Sequence, residues 1–462
     1  MRKKTFNLYI IFFIILILLV SFLVYKGTIE NFDERGGHFM KKDKEGHLNH
    51  YSRVPVDSDP KDTFDYGVDT VSGAINEGFQ INPPAGTTMT LTENTRNIIS
   101  HNPLKIYLIF YGNWSYAENT TVKLIENFIK DLSESEYLNA AVQSYSGADN
   151  KVGSNKLRVA QTIFDTRTAA ITRAHSTDDI IIHNIKEGNI VLDSLTPGNL
   201  MNNTFGVLKL LKTSVFCVFP ASTIRQEMLT DWDTGSVISN TEFDLPCGYH
   251  GVSSVYNDAA KTDLRVDVLS LAVMNVHAAA KHADGRVIKD ANNKVIYPNQ
   301  NCSTLYALKN FVNNMPDKNS ITRTPLNDNV GESFIDGFAH EIVEVITDPN
   351  AKEWMQSANV TMYLPRPNIN QNMQTYENAD LCAYNYGTVA IKDKTTGRVP
   401  TEVLGTVANR VRKSPNGSYT NVELKPGKRY FLPTMFVKTT YGKAPSPGKC
   451  LFGWDRVRIV NI

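Results

Sequence analysis

The stretch that most narrows what this chain can become is Ser333–Pro349, SFIDGFAHEIVEVITDP. Phe334, Phe338, Ile342, Val345 and Ile346 recur at helical spacing, so one face of a helix must be covered by the rest of the protein. Ser333 and Asp336 form a capping-box pattern that predicts the start of this helix. Pro349 disfavours helix at Asp348 and predicts an end near Thr347. His340 and Glu344 then stack at i and i+4, with Glu341 rotated by about 100° and able to lean toward the same point.

This is close to the zinc-peptidase helix, where two ligands stand at i and i+4 and a glutamate at i+1 polarises a metal-bound water. The second ligand position holds Glu344 in place of histidine. An imidazole and a carboxylate suit zinc, and as carboxylates accumulate they also admit Mn²⁺ or Ca²⁺. Zinc needs at least three protein ligands, and Glu377 and Asp380, in YENADLC, are the candidates to complete the set. Glu341 is the candidate general base. The competing reading is a hydrogen-bonded network on an ordinary helix, with Asp348 capping its exit.

At 462 residues the chain can bury a large core, and 48 basic against 47 acidic side chains leave a net charge of +1. That balance implies no polyanion-binding surface and hence no nucleic-acid partner. Five cysteines are too few for a scaffold built on disulfides.

The amino-terminus reads as a membrane signal anchor. Phe6–Tyr25 is a run of uncharged, mostly apolar residues, and about 20 such residues cross a ~30 Å hydrocarbon core. Arg2, Lys3 and Lys4 precede it and Glu30, Asp33 and Glu34 follow it. The positive-inside rule therefore leaves residues 1–5 cytosolic and places everything after Lys26 outside the cell or in a lumen. The exit Ser21–Lys26 lacks the small-x-small pattern of a cleavage site. Six N-x-Ser/Thr sequons, at Asn113, Asn119, Asn202, Asn301, Asn359 and Asn416, lie on that outer side.

Residues 26–102 are polar and turn-rich, which predicts a stalk or lead-in. Lys105–Tyr111 (KIYLIFY) is the first predicted buried strand, followed by a turn at Gly112-Asn113. Val122, Leu124, Ile125, Phe128, Ile129 and Leu132 mark an amphipathic helix. Ser176 and Asp179 cap a second helix through Ile180–Ile185, and Thr213–Phe219 and Val266–Val276 predict further buried strands. Lys281–Tyr297 reads as a hairpin-like insertion with turns at Asp284-Gly285 and Asn292-Asn293. Lys428–Lys438 is a late strand that Pro433 interrupts. The predicted class is mixed α/β, a layered sheet-and-helix domain compatible with a zincin-like scaffold, over residues 103–462. No Gly-rich phosphate loop and no Gly-x-Ser-x-Gly elbow is present.

Ile106–Trp114 (IYLIFYGNW), Cys247–His250 (CGYH), Ala339–Pro349 (AHEIVEVITDP), Ala379–Gly387 (ADLCAYNYG) and Gly427–Phe436 (GKRYFLPTMF) follow one another in an order and rough spacing that resembles the EXORDIUM-like, phosphate-induced protein family of plants. The resemblance runs from about Pro103 to Cys450. It implies one domain over most of the chain and a secreted protein linked to the cell wall and growth, with a cell-surface protein or polysaccharide as partner. No biochemical activity comes with it. The family commonly carries two further cysteines at the places held here by Phe243 and Tyr306. Their joint loss implies Cys247–Cys302 as a disulfide, with Cys382–Cys450 as the second and Cys217 a buried thiol. His250 is a further candidate ligand, on a turn that a disulfide at Cys247 would stiffen. His277, within an apolar run, is expected in the core.

Overall fold

The computed structural model describes most of residues 103–190, 214–226, 247–256, 265–311, 321–349, 377–390 and 412–451, with short pieces at 41–42, 48–49, 75–76, 88–91 and 354–356. Beyond a few two-residue pairings, the elements used here are β1 (Thr88–Leu91), β2 (Leu104–Tyr111), α1 (Thr120–Leu132), α2 (Glu136–Gln143), β3 (Leu157–Asp165), α3 (Thr177–Lys186), β4 (Ser214–Pro220), β5 (Gly248–Tyr256), β6 (Arg265–Val273), α4 (Thr304–Phe311), α5 (Asn329–Thr347), β7 (Trp354–Gln356), β8 (Val422–Lys425), β9 (Lys428–Tyr430), β10 (Met435–Lys438) and β11 (Ser446–Leu451).

Five strands form the central sheet in the order β3-β2-β4-β6-β5. β2 pairs in parallel with β3 and β4, and β4 with β6, while β5 runs antiparallel along the edge of β6. A parallel pair needs a crossover, and α1 and α2 supply it between β2 and β3. β4 is buried along its whole length and β2 nearly so. That burial is why their sequences read as continuous apolar runs with no alternation. A second, antiparallel sheet has the order β7-β1-β11-β10. β1, inside the stretch whose composition predicts a lead-in, therefore pairs with the last strand through Met89 and Ser446.

α5 starts four residues before the predicted Ser333. Its cap is Asp328, whose carboxylate accepts from Gly331 N at 2.9 Å and from Thr121 Oγ1 at 2.6 Å. Ser333 instead donates to Asn329 O at 2.5 Å and accepts from Thr304 N at 3.0 Å, tying α5 to the start of α4. The predicted end is borne out: the helix stops at Thr347, and every residue from Phe338 to Thr347 is buried. Phe334 packs on Phe219 with ring centroids 5.3 Å apart, and Phe338 on Phe128 at 6.3 Å, so the helix is wedged between β4 and α1. Gly337 permits the close approach to the sheet, since a Cβ there would lie 2.5 Å from Val273 Cγ1.

The predicted capping box on α3 is present in full, from Ser176 to Asp179. Lys281↔Val287 and Lys289↔Val295 bridge the hairpin-like insertion, and Asn293 takes a left-handed φ of 63° at its turn. The Asp284-Gly285 turn lies outside the described residues. Pro433 separates β9 from β10, as its missing N–H requires. His277 departs from expectation: it is exposed just past β6 and meets the Asn329 amide at 3.2 Å. The predicted anchor at Phe6–Tyr25 lies outside the described residues; among those described, no helix is long and apolar enough to cross a membrane.

Two disulfides join Cys247 to Cys302 and Cys382 to Cys450, and Cys217 is a buried free thiol whose pKa burial pushes up. Closing loops of 55 and 68 residues is worth about 4 kcal/mol each in chain-entropy terms.

Candidate metal centre

Three segments converge at the carboxyl-terminal end of the parallel strands. The first is α5, which carries His340, Glu341 and Glu344. The second is the start of β5, where the register Gly248↔Val273 and His250↔Leu271 sets His250 beside the last turn of β6. The third is the short 3₁₀ segment Asp380–Cys382, preceded by Glu377. Both disulfides brace the non-helical contributors: Cys247 stands three residues before His250, and Cys382 two residues after Asp380. Asn378 O accepts from Phe436 N at 3.2 Å, and Asp380 N donates to Glu344 Oε1 at 3.1 Å, so the third segment is held from both sides.

Within this convergence the donor atoms form two sets. His340 Nε2 lies 3.3 Å from Glu344 Oε1 and 3.3 Å from Asp380 Oδ1. His250 Nδ1 lies 3.2 Å from Glu341 Oε2 and 3.5 Å from Glu344 Oε2. On its other side, His250 Nε2 faces Asp348 O at 3.2 Å and Glu377 Oε1 at 3.4 Å. The two predicted third ligands fall in different places. Asp380 stands with His340 and Glu344, while Glu377 stands behind His250. Glu341, the candidate base, points at His250.

These separations bear on what the cluster is for. Charge-assisted N–H···O contacts normally close to about 2.7–2.9 Å. Ligands about 2.0–2.1 Å from a shared tetrahedral centre are instead about 3.4 Å apart along the polyhedron edge. Glu344 Oε2 and Asp380 Oδ1 lie near imidazole nitrogens without hydrogen-bond alignment, and Glu341 Oε1 has no hydrogen-bond partner among the described residues. Glu341 Oε1 presses against the backbone of β5, where a Cβ on Gly248 would come within 2.7 Å of it. The orphaned oxygens and the N/O donor set fit a divalent cation, and two groups, His250 with Glu341 and Glu344 and His340 with Glu344 and Asp380, bring donor atoms within 4.8 Å of one another.

The electrostatics follow from burial. His250, Glu341, Glu344 and Glu377 are fully buried, Asp380 is 1% exposed and His340 6%. Burial pulls both imidazoles toward the neutral form, and the carboxylates outweigh it. Glu377, Glu341 and Glu344 hold His250 well above its usual pKa, and Glu344 and Asp380 bring His340 to about 10. Burial raises Glu344 to about 7 and Glu377 to about 8, against the pull of the imidazoles, and raises Asp380 as well. So many carboxyls cannot all stay ionised beside two imidazoles at neutral pH without a further cation.

His250 shows how much the fold adds. Its only local signal is the Cys-Gly-Tyr-His turn, yet it sits as deep in the cluster as the helix residues do. His175 and His183 lie elsewhere, and His175 meets the Tyr111 hydroxyl at 3.1 Å. No protein-family model matches the chain, and neither the curated proteins nor the solved structures provide a match.

Proposed function

We propose that this chain is a membrane-anchored extracellular or lumenal protein of the EXORDIUM-like kind whose folded domain is organised by a divalent metal centre. The observation that carries the reading is the spacing of five imidazole–carboxylate contacts at 3.2–3.5 Å inside a buried pocket. Coordination polyhedra have edges of about that length, and the orphaned Glu341 Oε1 has no hydrogen-bond partner among the described residues. His340, Glu344 and Asp380 would hold the ion. Zinc suits this set, and the carboxylate share keeps manganese and calcium in contention. The near-complete burial of the donors resembles closed structural sites more than catalytic ones. On this reading the domain presents a rigid surface to a cell-surface protein or polysaccharide, and the Phe6–Tyr25 segment tethers it.

A second reading, a zincin-like hydrolase with peptidase activity, draws on one specific observation. Four parallel strands with one antiparallel edge strand lie under a helix that carries His-Glu at i and i+1. A bound ion would there act as Lewis acid and activate water. The residues of this chain would divide the work: His340, Glu344 and Asp380 orient, and Glu341 takes a proton at a carboxylate oxygen.

Metal analysis of the purified full chain separates these readings from a metal-free network. A stoichiometric ion, with a melting temperature that falls in chelator, supports the metal centre. An ion-free protein whose melting does not respond to chelator ends it. Peptidase activity that Glu341→Gln abolishes, with metal content intact, would move the balance to the hydrolase. The tether has its own test: amino-terminal sequencing that begins beyond Tyr25 would show a cleaved leader instead. Among the sequons, Asn416 directs its amide at Thr324 O, Pro325 O and Asn327 Oδ1, at 2.7, 3.2 and 2.9 Å, and is poorly placed to take a sugar.

A further inference from the structure

Glu344 does not belong to one donor set. Its Oε1 faces His340 Nε2 at 3.3 Å and its Oε2 faces His250 Nδ1 at 3.5 Å. A carboxylate with one oxygen in each of two ligand groups is the arrangement that bridges paired ions about 3.5–4 Å apart. We propose that the centre holds two divalent cations bridged by Glu344, the first on His340 and Asp380 and the second on His250 and Glu341. The proposal rests on the metal-centre reading above and extends it from one ion to two.

Three further observations support the second position. Glu341 Oε1 is fully buried and lacks a hydrogen-bond partner among the described residues, while Oε2 of the same carboxylate faces His250. A single ion on the His340 side leaves Glu341 Oε1 without a partner among the described residues. His250 is also oriented as a ligand: its Nε2 faces the Asp348 carbonyl and Glu377, two acceptors that hold the proton there. Nδ1, which faces Glu341 and Glu344, is then the nitrogen that would give up its proton to an ion, and the contacts at Nε2 are the outer-sphere arrangement that fixes the tautomer of a ligating histidine. Finally, Glu341, Glu344, Glu377 and Asp380 are all at most 1% exposed. So dense a group of carboxyls out of water offers enough oxygen donors for two divalent cations.

The consequence for Glu341 is specific. It becomes a ligand of the second ion and is no longer free to act as general base. The measurement is metal stoichiometry of the full chain in detergent, stripped with chelator, dialysed and reloaded with Zn²⁺ alone or Mn²⁺ alone. The parent is expected to take two equivalents, and His250→Ala and Glu341→Gln one each, with His340→Ala keeping the second. Because a variant of so buried a cluster can fail to fold, the Mn²⁺-loaded parent supplies a readout that needs none: a spin-coupled pair signal in electron paramagnetic resonance. One equivalent in the parent with an uncoupled Mn²⁺ spectrum overturns the paired site and leaves a single centre standing. No bound equivalent removes the metal reading itself.

Discussion

His250 and Glu341, 91 positions apart, bring Nδ1 and Oε2 to 3.2 Å in a place that solvent does not reach. Neither residue has a local reason to be near the other. The antiparallel edge strand delivers the first, and the helix packed on the sheet delivers the second. What the centre does depends on this pairing, and so do the outcomes expected of the following experiments.

Glu344 is the residue whose loss should be felt most. Glu344→Gln keeps the volume but removes the negative charge on both oxygens that face imidazoles. Breaking a buried charge cluster at one partner costs about 3–5 kcal/mol, and ion binding that counts as folding energy is lost with it. The expected result is a lower melting temperature that no longer responds to chelator. A variant that melts like the parent and still shifts with chelator would rule out Glu344 as a ligand.

Gly248 lies directly beneath Glu341. A methyl group there would stand 2.7 Å from Glu341 Oε1 and 3.1 Å from the Ala272 carbonyl, and overpacking of this kind costs about 1–3 kcal/mol. Gly248→Ala should therefore destabilise the domain and weaken metal uptake, although it removes no candidate ligand. Unchanged uptake by equilibrium dialysis would show that Glu341 can move away freely.

The Cys382–Cys450 bridge anchors the segment that carries Asp380. A Cys382→Ser, Cys450→Ser double variant loses about 4 kcal/mol of chain-entropy stabilisation, and the positioning of Asp380 goes with it. Lower denaturant midpoint and lower metal affinity are expected together. Peptide mapping should find Cys217 alkylated only after denaturation, because its thiol is fully buried.

Glu332 gives a pH dependence outside the centre. Burial raises its carboxyl to about 7, against the hydrogen bonds it accepts from Leu326 N and Asp328 N. A carboxyl raised in the folded state holds its proton more tightly than in the unfolded chain. The stability it contributes is full below about pH 4.5 and is lost as pH rises through about 7. Glu332→Gln keeps an acceptor for Leu326 N and cannot ionise. It should match the parent near pH 4 and exceed it by up to about 3 kcal/mol at pH 8. Urea midpoints at the two pH values check this, and an equal difference at both would contradict it.

The sequence alone determined the local elements. Apolar runs at Lys105–Tyr111 and Thr213–Phe219 specify buried strands, and the period from Phe334 to Ile346 specifies a helix, because burial on a strand or a helix leaves a repeat that neighbouring residues carry among themselves. Helix ends were legible where a cap is local, as at Ser176 and Asp179 and at Pro349. The start of α5 was not, because Ser333 is taken up by α4 and Asp328 caps the helix while also holding Thr121 from α1. His340, Glu341 and Glu344 were legible as a group because they share one helix. Their partners were a matter of tertiary structure: it placed Asp380 beside His340, set Glu377 behind His250, and turned the two oxygens of Glu344 toward different imidazoles. Those relations depend on sheet order and on disulfides that hold distant segments against the helix. No spacing along the chain encodes which of several carboxylates will share a buried volume with a given imidazole, since that is decided by packing between elements.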